Sequence, residues 1–147
     1  MSVIAVVTDY APCIALRKAV FVDEQKISVE DEMDDLDDVA VHLLAKVDDV
    51  PAGTARLLID GEIGKIGRIC VLSSHRGTGL GVALVEAALV HLRSVPGVTK
   101  AKLGAQDHAI GFYEKLGFEG YGPFYDDAGI PHRDMIRPLD VSHSRFN

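Results

Sequence analysis

Basic residues are scarce in this 147-residue chain, which has 15 Lys and Arg against 22 Asp and Glu and a formal net charge of −7. Nucleic-acid binding without sequence preference depends on Lys and Arg at phosphates, so the acidic balance argues against a nucleic-acid partner. The chain also has no run of about 18 apolar residues, so we expect no membrane-spanning segment and no membrane partner.

Cysteines are equally few, since only Cys13 and Cys70 are present. Two cysteines do not make a disulfide scaffold, and we expect both to stay reduced. Residues 1–5 lack the basic start and the long apolar stretch of a signal peptide, which favours a cytoplasmic location. The chain has neither the close Cys or His pairs of a zinc site nor the spacing of a calcium loop, so we expect no bound metal.

The rest of the composition, 48% hydrophobic and 25% charged, is that of a globular protein. A chain of this length buries roughly 68–70% of its unfolded surface, which is enough for one core. We therefore expect a single domain over residues 1–147, with a frayed polar tail at residues 140–147.

Strand and helix patterns alternate along the chain. Apolar runs predict strands at residues 3–7, 39–47, 52–59, 65–72, 98–105, 118–124 and 132–137, with a loop at residues 126–131. Helical spacing predicts helices from Pro12, at residues 79–93 and at residues 108–116. Like charges repel, so the acidic residues 30–38 are predicted to form an exposed loop or short helix. This order is typical of an α/β (α+β) domain, in which a mixed, mostly antiparallel sheet is flanked by helices.

A glycine-rich turn, Arg76-Gly77-Thr78-Gly79-Leu80-Gly81, lies between a predicted strand and a predicted helix. Glycines let the backbone approach a ligand closely, and the free N–H groups at a helix start attract anions. The planar guanidinium of Arg76 suits phosphate. The turn therefore favours a pyrophosphate site over a simple tight connection. A dinucleotide-binding motif would need glycine at Val82, and the Gly-Lys-Ser/Thr of a P-loop is absent.

The chain resembles the GNAT superfamily of acetyl-CoA-dependent N-acetyltransferases. Arg76, Gly79 and Gly81 match the family's Arg/Gln-x-x-Gly-x-Gly/Ala pattern, and residues 106–118 resemble its segment that ends in Tyr-x-Lys-Leu-Gly-Phe. The segments at residues 20–25, 67–71, 105–109 and 129–132 are similar to ElaA/YjcF-like members. Gln106 stands where many members have Asn.

The resemblance implies a GNAT fold with acetyl-CoA as cosubstrate and no metal. It places residues 76–81 at the pyrophosphate, including Gly77, Thr78 and Leu80. It places the backbone of Ile69, Cys70 and Val71 along the pantetheine arm. Gln106, Ala109 and Phe112 are further expected cofactor contacts.

Two side chains are candidates for proton transfer. In the resemblance, Tyr113 points to the CoA sulfur, where its phenol can act as an acid, although it can also be an ordinary core tyrosine. His132 is the candidate base, because imidazole titrates near neutral pH, although an exposed loop histidine is an equally good interpretation. The side chain of Cys70 is interpreted as a buried residue and not as a nucleophile.

The sequence does not determine whether the acceptor amine is anionic or cationic. Arg17, Arg56 and Arg68 are expected near the acceptor cleft, where they would bind an anionic amine, or else they pair with the acidic residues 30–38. Glu24 and Gln25 can bind an amine or lie exposed at a helix end. Exposed acids would instead favour a cationic amine.

The sequence therefore predicts transfer of acetyl from acetyl-CoA to a primary amine of a small molecule or peptide, by direct attack in a ternary complex. The alternatives are a non-enzymatic acyl-CoA sensor and an interaction domain on the same scaffold. A homodimer is a further expectation from the family, with the C-terminal strand as a sheet edge that can pair.

Overall fold

The computed structural model describes residues 2–139, which form one seven-stranded sheet with helices on both faces. The predicted tail at residues 140–147 lies outside the described residues. The strands are β1 (Ser2–Val7), β2 (Val41–Val47), β3 (Val50–Asp60), β4 (Ile63–Val71), β5 (Lys100–Gln106), β6 (Glu119–Asp127) and β7 (Ile130–Pro138). The α-helices are α1 (Ala11–Arg17), α2 (Val29–Glu32), α3 (Leu80–Arg93) and α4 (Ile110–Lys115). A π-helical segment, Lys18–Glu24, continues α1, and short 3₁₀ turns cover Asp37–Val39, Ser73–His75 and Asp107–Ala109.

The sheet has the order β1-β2-β3-β4-β5-β7-β6 and is antiparallel except between β4 and β5. This confirms the mixed, mostly antiparallel sheet. The parallel pairing extends only from Ile63 opposite Lys100 to Lys65 opposite Lys102. Beyond it, β4 continues to Val71 and β5 to Gln106 without further pairs between them, so the two strands separate and leave an opening.

Apolar layers cover both faces of the sheet. On one face, α3 buries Leu84, Val85, Ala88 and Leu92 against the strands, as its helical spacing predicts. On the other face, α1 and the π-helical segment form a smaller core around Cys13, Leu16, Val20, Leu44 and Cys70. The two helical layers hold the sheet from both sides. None of the helices in residues 2–139 is long and apolar enough to cross a membrane.

The C-terminal part of the sheet differs from the sequence prediction. The loop expected at residues 126–131 is a two-residue turn, Ala128-Gly129, with φ of 55° and 82° at its two positions. Positive φ at both positions matches the twist of a two-residue hairpin, so β6 and β7 pair up to the turn. The last strand is also not an edge, because β7 lies between β5 and β6.

The acidic residues 30–38 are only partly exposed, which corrects the expectation for Glu32 and Asp37. Ser28 caps α2 by accepting a hydrogen bond from the Asp31 N–H, which fixes the start of this short helix. Glu32 and Asp37 are buried beside arginines of α1, β3 and β4. These arginines offset the repulsion that would otherwise keep the acids in water.

Candidate active site

A cavity of about 720 Å³ opens where β4 and β5 separate. Its walls come from the π-helical segment, α2 and β4 on one side and from β5, β6 and β7 on the other. Of the residues expected to bind cofactor or to transfer protons, the cavity brings together Ile69, Cys70, Val71, Arg76, Gln106, Tyr113 and His132.

The glycine-rich turn forms the start of α3. Gly77 and Gly79 have φ of 77° and 87°, a region that side chains disfavour, and nothing lies within 4 Å of a Cβ placed on either. Gly79 is the N-cap of α3, and the first turn of the helix carries no acidic residue. The first backbone N–H groups of a helix have no acceptor within the helix, so the start of α3 suits an anion.

The turn is bordered by Phe112, whose ring lies 3.5 Å from a Cβ placed on Gly81. Ala109 lies one turn earlier, at the end of its 3₁₀ segment. The side chain of Leu80 is buried in the core under α3, so this residue offers only its backbone to a ligand.

Arg76 is held by a carboxylate of this chain. Its Nη2 donates to Glu24 at 2.7 Å, its Nη1 donates to the other oxygen of the same carboxylate, and its Nε donates to the Val71 carbonyl at 3.1 Å. Both charged side chains are 43% exposed. The expected phosphate-binding arginine is thus paired with Glu24 across the mouth of the cavity.

A β-bulge in β4 lies beside the opening. Thr54 pairs with Cys70 and Arg56 with Gly67, so two residues of β4 stand opposite one of β3. Arg68, one of these two, has φ of 51°. Such a bulge bends its strand and interrupts the regular pairing, which locally turns the backbone groups of β4. Cys70 is buried, and burial raises the pKa of its thiol to about 12, so it is not an activated nucleophile.

Tyr113 lies on α4, between the core and the cavity. Its ring contacts Phe112 and Phe118 edge-on, with centroids 5.0 and 6.0 Å apart. Burial raises the pKa of Tyr113 to about 12, so the phenol keeps its proton at neutral pH.

His132 lies in strand β7 and not in a turn, and only 9% of it is exposed. It stands opposite Gln106 of β5 and Tyr125 of β6, and the Tyr125 ring stacks on it at 5.9 Å. Its Nδ1 lies 2.8 Å from the Ile130 carbonyl oxygen. Because a carbonyl can only accept, Nδ1 carries the proton and Nε2 keeps a lone pair.

Two glutamines connect the two sides of the opening, a contact that the sequence did not indicate. Gln106 Nε2 donates to Gln25 Oε1 at 3.0 Å, and the reverse contact measures 3.5 Å. The residues are 81 positions apart in the chain, so no local pattern could have revealed the pair. The stacking of Tyr125 on His132 was missed for the same reason.

The arginines form a buried ionic network with the acidic residues 30–38. Arg17 donates to Glu32 at 2.8 Å and to Asp37 at 2.7 Å, and only 1% of it is exposed. It does not line the cavity. Arg56 donates to Asp34 at 2.8 and 2.9 Å, and these hydrogen bonds lower the pKa of Asp34 to about 2.

Metal-ligating side chains do not converge in the described part of the chain: no group of three or more His, Cys, Asp or Glu is arranged to hold a metal ion in residues 2–139.

A family model described as an acetyltransferase (GNAT) domain matches residues 11–139. The chain belongs to the GNAT acetyltransferase family. It is 36% identical to the N-acetyltransferase YjcF of Bacillus subtilis over 83% of this chain and 87% of YjcF. It is 35% identical to ElaA of Escherichia coli K12 over 86% of this chain and 85% of ElaA. The resemblance to ElaA/YjcF-like members is thereby confirmed.

Solved structures of GNAT proteins share this fold. An acyl-CoA N-acyltransferase from Pseudomonas aeruginosa superposes with a TM-score of 0.80 at 34% identity, covering 93% of this chain and 98% of that one. An aminoglycoside 6′-N-acetyltransferase complexed with coenzyme A has a TM-score of 0.74 at 16% identity, covering 93% and 97% of the two chains, which shows the fold alone.

Proposed function

We propose that this GNAT protein transfers the acetyl group of acetyl-CoA to a primary amine, by direct attack of the amine in a ternary complex. The observation that carries the proposal is the opening between β4 and β5, whose cavity is lined by both Arg76, the first residue of the glycine-rich turn, and His132. The coenzyme A complex of an enzyme with this fold supports the choice of cosubstrate. We also propose a cytoplasmic location, in keeping with two free, buried cysteines.

The residues around the opening fit acetyl-CoA. The space outside Gly77 and Gly79 and the N–H groups at the start of α3 suit a pyrophosphate, which would replace Glu24 as the partner of Arg76. The edge of β4 at residues 69–71 has no strand neighbour on the side of β5, so this edge can bind the amides of a pantetheine arm, although the Val71 carbonyl accepts from Arg76 Nε. Gln106, Ala109 and Phe112 complete the proposed set.

Acetyl-CoA supplies an acetyl group activated as a thioester. His132 Nε2 takes the proton that the incoming ammonium must lose, because a typical alkylamine has a pKa of about 10.4 and is charged at neutral pH. A backbone N–H of β4 near Cys70 donates to the carbonyl oxygen as negative charge develops on it. No acyl-enzyme is needed, which agrees with the unactivated thiol of Cys70.

Tyr113 is proposed to stabilise the leaving sulfur. A free thiol has a pKa of about 8.5, so full proton transfer from a phenol with a pKa of about 12 would cost about 5 kcal/mol. Tyr113 therefore donates a hydrogen bond to the thiolate, and the proton that the sulfur gains comes from elsewhere.

Calorimetry with acetyl-CoA tests the proposal on the wild type, Gly79→Glu and Gly79→Ala. Both variants share the unfavourable φ, but only glutamate adds a negative charge at the phosphates, so Gly79→Glu should lose binding while Gly79→Ala keeps most of it. Release of the CoA thiol with an amine panel then measures turnover. A wild type that does not bind acetyl-CoA would overturn the proposal, and binding without release would favour the sensor.

A further inference from the structure

The arginines of the cavity wall are already neutralised by carboxylates of this chain. Arg76 is bound by both oxygens of Glu24, and the two terminal nitrogens of Arg56 are bound by Asp34. The remaining Nε of Arg56 is enclosed in the protein, where a ligand cannot reach it. Neither arginine therefore offers an unmatched positive charge to a carboxylate or phosphate on an acceptor.

Arg68 is in a similar state, although 27% of its side chain is exposed. It donates to the Glu32 carbonyl at 3.0 and 3.2 Å, and it lies 3.3 Å from the Glu32 carboxylate and 3.4 Å from Asp34. An anionic substrate would have to compete with these acids for its guanidinium.

Two carboxylates of the cavity wall are unmatched. Asp31 on α2 and Asp127 at the end of β6 line the cavity and are exposed, and neither forms an ion pair within residues 2–139. Lys65 is the opposing free cation of the wall, but it lies where β4 and β5 are still joined, opposite Lys102. Gln106, at the other end of β5, lies roughly 13 Å further along the strand than Lys102.

Asp127 lies at the same end of the cavity as the lone pair of His132. Tyr125 pairs with His132, and Asp127 follows on the same face of β6, with its Cα about 6.5 Å from that of Tyr125. His132 is nine-tenths buried and lines this cavity, and its Nε2 is unengaged. An amine that reaches Nε2 is thus within reach of Asp127, with Asp31 on the facing wall.

We propose that the acceptor is an amine that carries a second positive charge, of the diamine or polyamine class, whose far ammonium is held by Asp127 and Asp31. This inference rests on the proposed function. The near ammonium gives one proton to His132 Nε2, and its nitrogen then forms the bond to the acetyl carbon as the carbon–sulfur bond breaks. The nitrogen loses a second proton, the sulfur takes up one, and one is released to solvent.

Three amines with four carbons each test the charge of the acceptor: putrescine, n-butylamine and γ-aminobutyrate, whose far ends are positive, neutral and negative. Their affinities for the CoA-saturated protein are measured by calorimetry. We expect putrescine to bind best and γ-aminobutyrate worst, with about two- to fivefold for each exposed ion pair and a smaller difference at high salt.

Two variants test whether Asp127 and Asp31 cause this order of affinities. Asp127→Asn and Asp31→Asn should each weaken putrescine binding by about two- to fivefold and leave n-butylamine binding unchanged. Asp35→Asn is the matched control, since Asp35 is an exposed acid of the same segment that does not line the cavity.

The binding measurements test the cationic acceptor, and the turnover measurement tests the proposed transferase. Tighter binding of γ-aminobutyrate, equal binding of all three amines, or an equal effect of Asp35→Asn would overturn the cationic acceptor. Absence of thiol release from bound acetyl-CoA with every amine would instead contradict the proposed transferase, whatever the order of binding.

Discussion

Replacement of Arg17 by methionine should destabilise the protein by about 3 kcal/mol at neutral pH. Arg17 is almost fully buried and bridges Glu32 and Asp37, so its removal leaves two buried carboxylates with fewer partners. Breaking a buried ion pair from one side typically costs about 3–5 kcal/mol. Asp37 keeps Arg56 at 3.2 Å and Glu32 keeps Arg68 at 3.3 Å, which favours the lower end of that range.

The loss should shrink as the pH falls. Burial alone would raise the pKa of Asp37, but hydrogen bonds from Arg17 and Arg56 outweigh it and hold the pKa below its ordinary value. In the wild type this stabilisation is present above the unfolded pKa of about 3.9 and is lost at lower pH. In Arg17→Met the burial remains with one arginine fewer, so the pKa of Asp37 rises. As the pH falls, Asp37 therefore takes up a proton in the variant before it does so in the wild type, and the cost of burying its charge disappears.

Urea unfolding followed by far-UV circular dichroism, at neutral pH and near pH 4, measures both effects. Arg93→Met is the control, and we expect it to change stability by less than about 0.5 kcal/mol. A loss below about 1 kcal/mol for Arg17→Met, or an equal loss at both pH values, would refute the reasoning. If Arg17 instead contacted an acceptor, its substitution would raise the KM and leave the urea midpoint unchanged.

Three further substitutions address the site. Tyr113→Phe should lower kcat by about 10- to 100-fold through loss of a hydrogen bond to a charged group, with the Kd of acetyl-CoA unchanged in calorimetry; an unchanged kcat would remove the proposed role. Glu24→Gln should tighten CoA binding severalfold because it frees the guanidinium of Arg76. The same change in an Arg76→Gln background should have no effect. Equal effects in both backgrounds would contradict competition between Glu24 and CoA for Arg76. His132→Gln should lower turnover by about 100-fold or more near neutral pH, and its remaining rate should increase with pH toward the amine pKa of about 10.4. The control His91→Gln, on α3, should match the wild type. If His132→Gln kept the pH profile of the wild type, His132 would not be the base.

The regular elements of the fold could be predicted because their signals are local. The period of α3 and the apolar runs of β2, β3 and β4 can be read within one element, and the observed bounds lie within about two residues of those expected. Both strands of the β6–β7 hairpin were predicted, but its two-residue turn was not, because Ala128-Gly129 is a weak turn signal beside Asn-Gly or Asp-Gly. The position of β7 inside the sheet depends on long-range pairing that no local pattern encodes.

In the candidate site, too, a feature formed by neighbouring residues could be predicted, whereas contacts between distant residues could not. Its glycine-rich turn is contiguous in the chain and could be placed from the sequence. Pairing of the arginines with the acidic residues 30–38 was one of the two interpretations from the sequence. The burial of this network could not be predicted, because Arg17 meets Glu32 and Asp37 only in the folded chain. From the sequence alone, a run of acids is typical of a solvated surface. The proton on His132 Nδ1 likewise depends on a carbonyl that only the folded strand brings near.

The short junction between β4 and β5 divides the sheet into two hydrogen-bonded units. One unit contains β1 to β4 and the other contains β5, β7 and β6, and within residues 2–139 the ladder between them has three residue pairs. The layer formed by α3 and the shared core carry most of the remaining connection. A ligand bound along the opening would contact both units, so its binding energy would add to the cohesion of the domain as well as to catalysis. In this arrangement the domain gains rigidity from the molecule that it binds, and amide exchange at the facing edges of β4 and β5 would slow when the opening is filled.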